Sequence, residues 1–502
     1  MHSCLSCAAG AAAWPLLPSR SLAGDRKAPG RPKVRLVFCE TSNAQPIWPN
    51  VGYDFDGRRK EIVDLLSRDC PGVEFLPAKL MDKPEDLAKV LEGNDAVDGY
   101  MVCVQGLGWG NDIFKLCTTG KPTLLVDNLF GGSGKFLTQI APIMKARKPV
   151  DWVSSSNDAD ISASACHFAR LGEADGAEIA SAFRAARAAR TPGATEWACK
   201  ADEVPPLDLD RTLEKLKETK ILVVGGGWGG DAFRKASRDV TGVTLVPISF
   251  EEISKAYDEA DRDEAKVFAG QWIEGADEVI DVAHDEIERS GVMYVAMKKL
   301  IEKHGAAGIS VNCLGGFYGG HVKAYPCLGF SQLNNDGLVG GCEADQMSAL
   351  TMAAIGAATG RPGFISDPVI DTAKNAIVYA HCVAMTKPFG TGGASNPYHI
   401  MTHSEDRKGA SIRSLLPSGY MTTTLEIDPR DRTVLIHRAK TIGNNPSDLA
   451  CRTKLEAVVK GDLEKLTENW AKGWHRVTFY GDLKEQVYAL SGALGCTIVE
   501  EA

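Results

Sequence analysis

The sequence predicts an α/β protein: two tandem parallel-sheet α/β domains followed by a C-terminal domain that contains an antiparallel β-barrel. Three observations carry this. From Val34 to Arg190, short apolar runs alternate with amphipathic or Ala-rich runs, the pattern of a parallel sheet covered by helices. A second alternation opens at KILVVGGGWGGDAFRKA (220–236), after a polar, Pro- and Asp-rich linker at 191–209. From about residue 383 the texture changes to short strand-like runs separated by turns such as Asp428-Pro429-Arg430-Asp431, as in a β-meander or small barrel.

Taken in order, residues 1–30 read as an export leader and spacer. CLSCAAGAAAWPLLPSRSLAG is small and apolar, ends in a Ser-Leu-Ala-like cleavage site near Ala23, and lacks a basic start. It resembles the back half of a twin-arginine leader, and it is too short and too interrupted by proline to span a membrane. The expected location is therefore periplasmic or secreted, or cytoplasmic if this segment is not an export signal. The first α/β domain (31–205) starts at the strand VRLVFCETS. It continues through a helix at 58–68, a strand at 73–77, a helix at 84–91, strands at 99–104 and 122–126, and an Ala-rich helix at 177–189 stopped by Pro192. The second α/β domain (206–382) is expected to hold a helix at 209–218 and later strands at 242–247, 278–282, 308–312 and 363–365. The C-terminal domain (383–502) carries strand-like runs at 412–415, 421–427 and 433–437, then returns to helix and strand.

Gly108-Trp109-Gly110-Asn111-Asp112-Ile113-Phe114 echoes Gly227-Trp228-Gly229-Gly230-Asp231-Ala232-Phe233. Two related domains would explain this, and so would convergence of Gly-rich strand-to-helix turns. The run Gly225–Gly230 formally fits a dinucleotide-binding fingerprint, but the strand that follows (VTLVPIS) does not end in the acid such a site needs. A tight turn lining a substrate entrance fits better.

The 502 residues carry a net charge of -9 with no basic stripe interleaved with aromatics, which argues against a nucleic-acid partner. No later stretch has the length and apolarity of a membrane-spanning helix, so the chain is not expected to be an integral membrane protein. The 14 cysteines show no repeated CxxC spacing, so they read as small buried hydrophobes rather than a zinc ribbon.

The chemistry concentrates between Val311 and His381. Glu343 and Asp345 stand at the mouth of a helical run (346–359), and Asp367 follows a short strand-like run. Glu343, Asp367 and one histidine would suit Mn²⁺, Mg²⁺ or Fe²⁺ better than a soft thiolate site. The candidate histidines are His321, His381, His399, His403, His437 and His475, and composition does not choose among them. Cys342 is not counted as a ligand, because neighbours on a strand or helix start point different ways. Asn312, Gln332, Asn334, Asn335 and Asp345 offer polar groups to sugar hydroxyls. Trp109, Trp228, Phe317, Tyr325 and Trp474 offer apolar faces.

GGCEADQMSALTMAA (340–354), GFISDP (363–368), AHC (380–382) and WHRVTFYGDLKEQVYALSGALGCTIV (474–499) resemble the L-fucose isomerase and L-arabinose isomerase superfamily. The resemblance runs from about residue 35 onward and is closest at 312–381 and in the C-terminal segment. Glu343 and Asp367 keep the family's Glu-to-Asp spacing, and His475 resembles its C-terminal histidine. The resemblance implies a metal set of Glu343, Asp367 and His475, with His381 as a fourth ligand or a group behind the ligands. The cofactor implied is Mn²⁺, with Mg²⁺ or another divalent cation as substitutes. It implies aldose–ketose isomerisation of a deoxy-sugar or pentose through a cis-enediol, with Glu343 and Asp367 as the proton-transferring pair, in a homo-oligomer. The leader departs from the family's cytoplasmic habit. It leaves open a secreted metal-dependent glycoside hydrolase, or a non-catalytic carbohydrate-binding protein, on the same residues.

Overall fold

The computed structural model describes residues 30–81, 83–108, 113–193 and 197–502. The expected leader and Trp109 lie outside the described residues. No helix among the described residues is long and apolar enough to cross a membrane.

Strands β1 (Lys33–Cys39), β2 (Glu74–Leu80), β3 (Gly99–Val104), β4 (Thr123–Asp127) and β5 (Val150–Ser154) form a parallel sheet in the order β2-β1-β3-β4-β5. β3, β4 and β5 are buried at every residue, because helices cover both faces; that is why these strands read as continuous apolar runs. The covering helices start where caps dictate. Asp54 accepts from the backbone N–H of Gly57, and Asp175 and Glu178 form a reciprocal capping box ahead of the helix Gly176–Arg190. A disulfide joins Cys70 to Cys166 across 96 residues of chain, so these two cysteines are a staple rather than small hydrophobes.

β6 (Lys220–Val224), β7 (Thr244–Ile248), β9 (Gly308–Val311) and β10 (Val339–Gly341) form a second parallel sheet in the order β10-β9-β6-β7. Counted within its own unit, this is the order 2-1-3-4, the same as the first four strands of the first sheet. The two units thus share a topology. The Gly-Trp-Gly echo does not mark it, since one copy follows β3, the third strand of its sheet, and the other follows β6, the first. The short strand β8 (Glu278–Ile280), expected in this sheet, pairs instead with β13 (Tyr398–Met401), which pairs with β14 (Ser411–Ser414).

The barrel is closed. β11 (Phe364–Asp371), β12 (Ala376–His381), β15 (Met421–Asp428), β16 (Thr433–Asn444), β17 (Thr453–Val459) and β18 (Arg476–Tyr480) run β15-β18-β11-β12-β17-β16, and β16 pairs back onto β15. Every one of these pairings is antiparallel, so the ring of six strands has no free edge. β19 (Thr497–Glu500) adds in parallel to β16. The run at 363–365, expected in the second parallel sheet, is the start of β11 and belongs to the barrel; it pairs with β12 in the register Asp367↔Ala380. Residues 32–502 pack as one compact unit.

Candidate metal centre

In parallel sheets of this kind a ligand crevice opens beyond the strand C-termini, where the strand order reverses. The reversals fall between β1 and β3 and between β6 and β9. The loops leaving those strands supply Trp48, Leu107, Trp228 and Asn312 to the wall of one cavity of about 670 Å³, a usual size for a small-molecule site. β10 adds Cys342, Glu343 and Asp345 just past its end, and the barrel adds Asp367, His381 and His475.

The loop after β10 is built to aim these groups. Glu343 and Ala344 both take left-handed backbone conformations (φ 59° and 49°), uncommon for residues with a Cβ and characteristic of functional turns. The next residue, Asp345, caps the helix Gln346–Thr359, with Oδ1 accepting from the N–H groups of Met347 (2.9 Å) and Ser348 (3.1 Å). Gly227 lies against this loop: a Cβ there would stand 2.8 Å from the carbonyl oxygen of Ala344. The turn at 225–230 is therefore part of the cavity wall, as its glycines suggested. The left-handed pair also undoes the alternation argument against Cys342. Its sulfur, a Glu343 oxygen and a His381 nitrogen lie within 4.8 Å of one another.

Asp367, His381 and His475 make a second group within the same limit. His475 Nε2 is 3.1 Å from Asp367 Oδ1 and 3.8 Å from Glu343 Oε2. Its Nδ1 donates to Asp345 Oδ2 at 2.9 Å, so Nε2 faces the two acids and would offer a cation its lone pair only once deprotonated. A carboxylate behind a histidine, fixing its tautomer and ring angle, is the usual support of a metal ligand. His381 Nε2 is 3.8 Å from both Glu343 Oε1 and Asp367 Oδ2. Its Nδ1 accepts the Cys382 N–H at 2.9 Å, so in the neutral ring the proton sits on Nε2. Glu343 and Asp367 thus both face Nε2 of His475, while His381 turns an N–H toward the same two acids.

The electrostatics follow from this crowding. Burial pushes Asp367 up, but His475 and His381 outweigh it and hold the carboxyl below its ordinary value. Burial opposes charge on His475, but Asp367, Asp345 and Glu343 outweigh it and hold the imidazole well above its usual range. Glu343 is raised, by burial first and by Asp367 further, against the pull of His475. A site with this much negative charge gathered around one buried imidazolium suits a cation that displaces its proton. The Cys342 thiol is pushed up by its contact with Cys313 (Sγ–Sγ 3.1 Å) and by burial, so it stays protonated beside the carboxylates. The ionised donors are hard, and they fit a divalent cation of the Mn²⁺ or Mg²⁺ kind.

Several expected sugar-binding groups are engaged elsewhere. Gln332 bridges the Trp272 indole N–H and Asp336. Asn334 clamps the backbone of Gly340 through both ends of its amide, and Asn335 holds Thr386 and Lys387. None of the three lines the cavity. They sit on the helix Cys327–Asn335, where Asn334 and Asn335 hold backbone groups and Gln332 holds side chains, so the structure gives all three packing contacts away from the cavity. Tyr325 stacks on Phe317 (4.4 Å between centroids), donates to Asp406 and faces a neighbouring cleft, so it too is engaged elsewhere. Asp345 lines the cavity, but its two oxygens take four hydrogen bonds from the protein, which makes it a positioning group rather than a hydroxyl acceptor. Asn312, Trp228 and Trp474 do line the cavity. Trp228 is 80% exposed at its rim, while Trp474 packs onto Gly134, where a Cβ would meet the indole at 1.8 Å.

Of the candidate histidines, His403 also reaches this cavity, while His321, His399 and His437 are absent from its lining. His437 is buried between Tyr379 and Glu501. The sequence reading missed Glu405 and Tyr318 on the cavity wall, and a lining of five free cysteines, Cys313, Cys327, Cys342, Cys382 and Cys451. Spacing gave no signal for the thiols, because five separate elements and loops deliver them. Cys382 is held well below the usual thiol value, chiefly by a hydrogen bond from Cys451.

No family model matches the chain. Among curated proteins it is similar to a sulfoquinovose isomerase from Clostridium sp. (strain MSTE9), 26% identical over 294 residues, covering 56% of this chain and 64% of the relative. It is similar also to the sulfoquinovose isomerase of Priestia megaterium, 24% identical over 302 residues, covering 57% and 66%. Each match spans less than two thirds of the relative's own length. Among solved structures, an ABC transporter solute binding protein from Bacillus halodurans C-125 with bound myo-inositol is 12% identical and covers 59% of this chain and 82% of its own. Its TM-score of 0.18 carries no argument. The sequence similarity points to sugar isomerases in the wider sense rather than to L-fucose or L-arabinose isomerases in particular.

Proposed function

We propose that this protein is a metal-dependent aldose–ketose isomerase acting on a free monosaccharide through a cis-enediol. One observation carries the reading: in one cavity two acids, Glu343 from the loop after β10 and Asp367 within β11, lie 3.8 Å and 3.1 Å from Nε2 of the remote His475, which enters just ahead of β18 with Asp345 behind it. The residues fit Mn²⁺ or Mg²⁺, which would supply Lewis-acid polarisation of the substrate's adjacent oxygens. Glu343, Asp367 and His475 would hold the ion. Glu343 is the more accessible acid, 30% exposed against 8% for Asp367. It therefore takes the proton from the carbon next to the carbonyl and returns it to the neighbouring carbon, while Asp367 anchors. Trp474 and Trp228 supply the apolar faces to the sugar.

The substrate panel follows from the expectation and the relatives: deoxy-hexoses, pentoses and sulfoquinovose, each incubated with protein dialysed against Mn²⁺. The expected product is a ketose of the same mass. Glu343→Gln is expected to lower turnover at least 100-fold while sugar binding persists. Turnover unchanged in that variant would overturn the assignment, and a shortened glycoside in place of a ketose would hand the site to hydrolysis. We also propose, on the leader-like segment and the Cys70–Cys166 disulfide, that the protein works outside the cytoplasm. The family resemblance supports a homo-oligomer.

A further inference from the structure

The cavity carries a fourth acid that the isomerase reading does not yet use. Glu405 lines the cavity and is 8% exposed. Its Oε2 accepts the Tyr318 hydroxyl at 3.2 Å, and its carbonyl oxygen accepts the Val51 N–H at 2.7 Å, which fixes the residue at both ends. Tyr318 lines the same cavity, on the short helix Cys313–Tyr318 that follows β9. The charged and titratable groups around Glu405 are His403, Glu343, Cys382, Cys451 and Tyr318. Among the described residues no cation stands within ion-pairing distance of Glu405: His403, the nearest base in sequence, engages Asp406 at 3.2 Å. A buried carboxyl with no ion-pair partner and an open face to a sugar-sized cavity is a group that carries a proton rather than a charge, and the Tyr318 hydroxyl tempers that only in part.

We propose, resting on the isomerase reading above, that Glu405 is the acid that moves the oxygen-bound proton of the sugar, with Tyr318 as its positioning residue. In the first half of the reaction the base takes the proton from C2, the C–H pair becomes the C1=C2 bond, and the C1=O1 π pair moves to O1, where it takes the Glu405 hydroxyl proton and leaves Glu405 a carboxylate. In the second half the Glu405 carboxylate takes the proton from the O2 hydroxyl, C2=O forms, and the base returns its proton to C1. Every atom and electron is accounted for, and no co-reactant is consumed. Burial, together with the charges of Glu343 and Cys382 and against the pull of His403, pushes the Glu405 carboxyl up to about 8, which keeps it protonated at neutral pH and ready to donate.

The test compares wild type, Glu405→Gln and Tyr318→Phe for kcat, KM, pH profile and Mn²⁺ affinity by titration. Glu405→Gln is expected to lower kcat at least 100-fold, with KM within threefold and Mn²⁺ affinity unchanged. Wild-type kcat is expected to fall above pH 8, as the acid is lost. Tyr318→Phe is expected to move that alkaline limb upward, because the phenol hydrogen bond favours the carboxylate. Glu405→Gln with wild-type kcat, or with Mn²⁺ affinity lost in step with kcat, overturns the role of Glu405 and leaves the isomerase reading standing. A wild-type protein that converts no aldose, with Mn²⁺ bound, overturns the reading and this inference together.

Discussion

At Asp345 one carboxylate does two things that a single point change separates. Oδ1 caps the helix Gln346–Thr359, and Oδ2 holds the His475 ring, with Ser348 Oγ donating to that same oxygen at 2.8 Å. Behind it stands Glu426, buried and pushed well above its usual value by burial, with Thr351 Oγ1 at 3.0 Å and Ser348 Oγ at 3.3 Å from its carboxyl oxygens. Asparagine is as good a cap as aspartate, so Asp345→Asn is expected to leave the helix start intact. It removes the negative charge that orients the imidazole and replaces one acceptor with an N–H donor. The expected result is a 10–100-fold weaker Mn²⁺ affinity by titration calorimetry, with thermal stability close to wild type. Wild-type affinity would mean that His475 is not held by this contact, or is not a ligand.

At the scale of elements, what could be read from sequence was what repeats with a period or ends at a cap. The helices at 209–218 and 346–359 match the expected bounds because a capping Asp precedes each, at Asp208 and Asp345. Most of the parallel strands were legible as bounded apolar runs, but β5 (VDWVS) and β10 (VGG) were not, being short and mixed with polar residues or glycine. β11 was not: Asp367-Pro368 looks like a turn, yet the strand runs through it to Asp371 with every residue buried. Its pairing with β18 ends at Ser366, so Pro368 lies where β11 has already parted from that neighbour. The candidate metal donors were singled out because a spacing resembled a known one. Gln332, Asn334 and Asn335 were not, because an amide that binds a sugar and one that clamps a backbone have the same sequence. Glu405 and His403 lie in a loop between β13 and β14, where no periodicity speaks. The disulfide was equally silent, since it joins the end of the helix Phe55–Asp69 to the short helical turn at Cys166 across most of the first sheet's connections. Closing so long a loop restricts the unfolded chain. Replacing both Cys70 and Cys166 by Ser is expected to cost about 2–4 kcal/mol in urea unfolding, with no change in Mn²⁺ affinity. A loss under about 0.5 kcal/mol would show that the bond does not constrain the unfolded protein.

Across the whole molecule, the site exists only where three layers meet: both sheets bring their reversal points to one cavity, and the barrel closes it. The end of the chain helps to hold that arrangement. Glu501, beyond β19, is 1% exposed and pairs with Arg476 (2.6 Å) and His437 (3.0 Å), themselves fully buried in the barrel. Arg476 in turn donates to the carbonyl oxygen of His475 (2.9 Å) and stacks over Trp470 at 4.1 Å. Burial opposes the Glu501 charge, but Arg476 first and then His437 outweigh it and bring the carboxyl down to about 2. A carboxyl depressed on folding adds stability that is fully present above its unfolded value, near 4.3, and is lost as pH falls through its folded value. Glu501→Gln leaves Arg476 buried without its counter-charge, so at pH 7 the variant is expected to lose about 3–5 kcal/mol in denaturant unfolding. The gap from wild type should close as the pH falls from about 4.3 toward 2, because wild-type Glu501 is then neutralised as well. Since Arg476 also holds the peptide of His475, Mn²⁺ affinity should fall with the same substitution. Lost stability with unchanged affinity would confine Glu501 to the barrel and uncouple the chain's end from the metal centre.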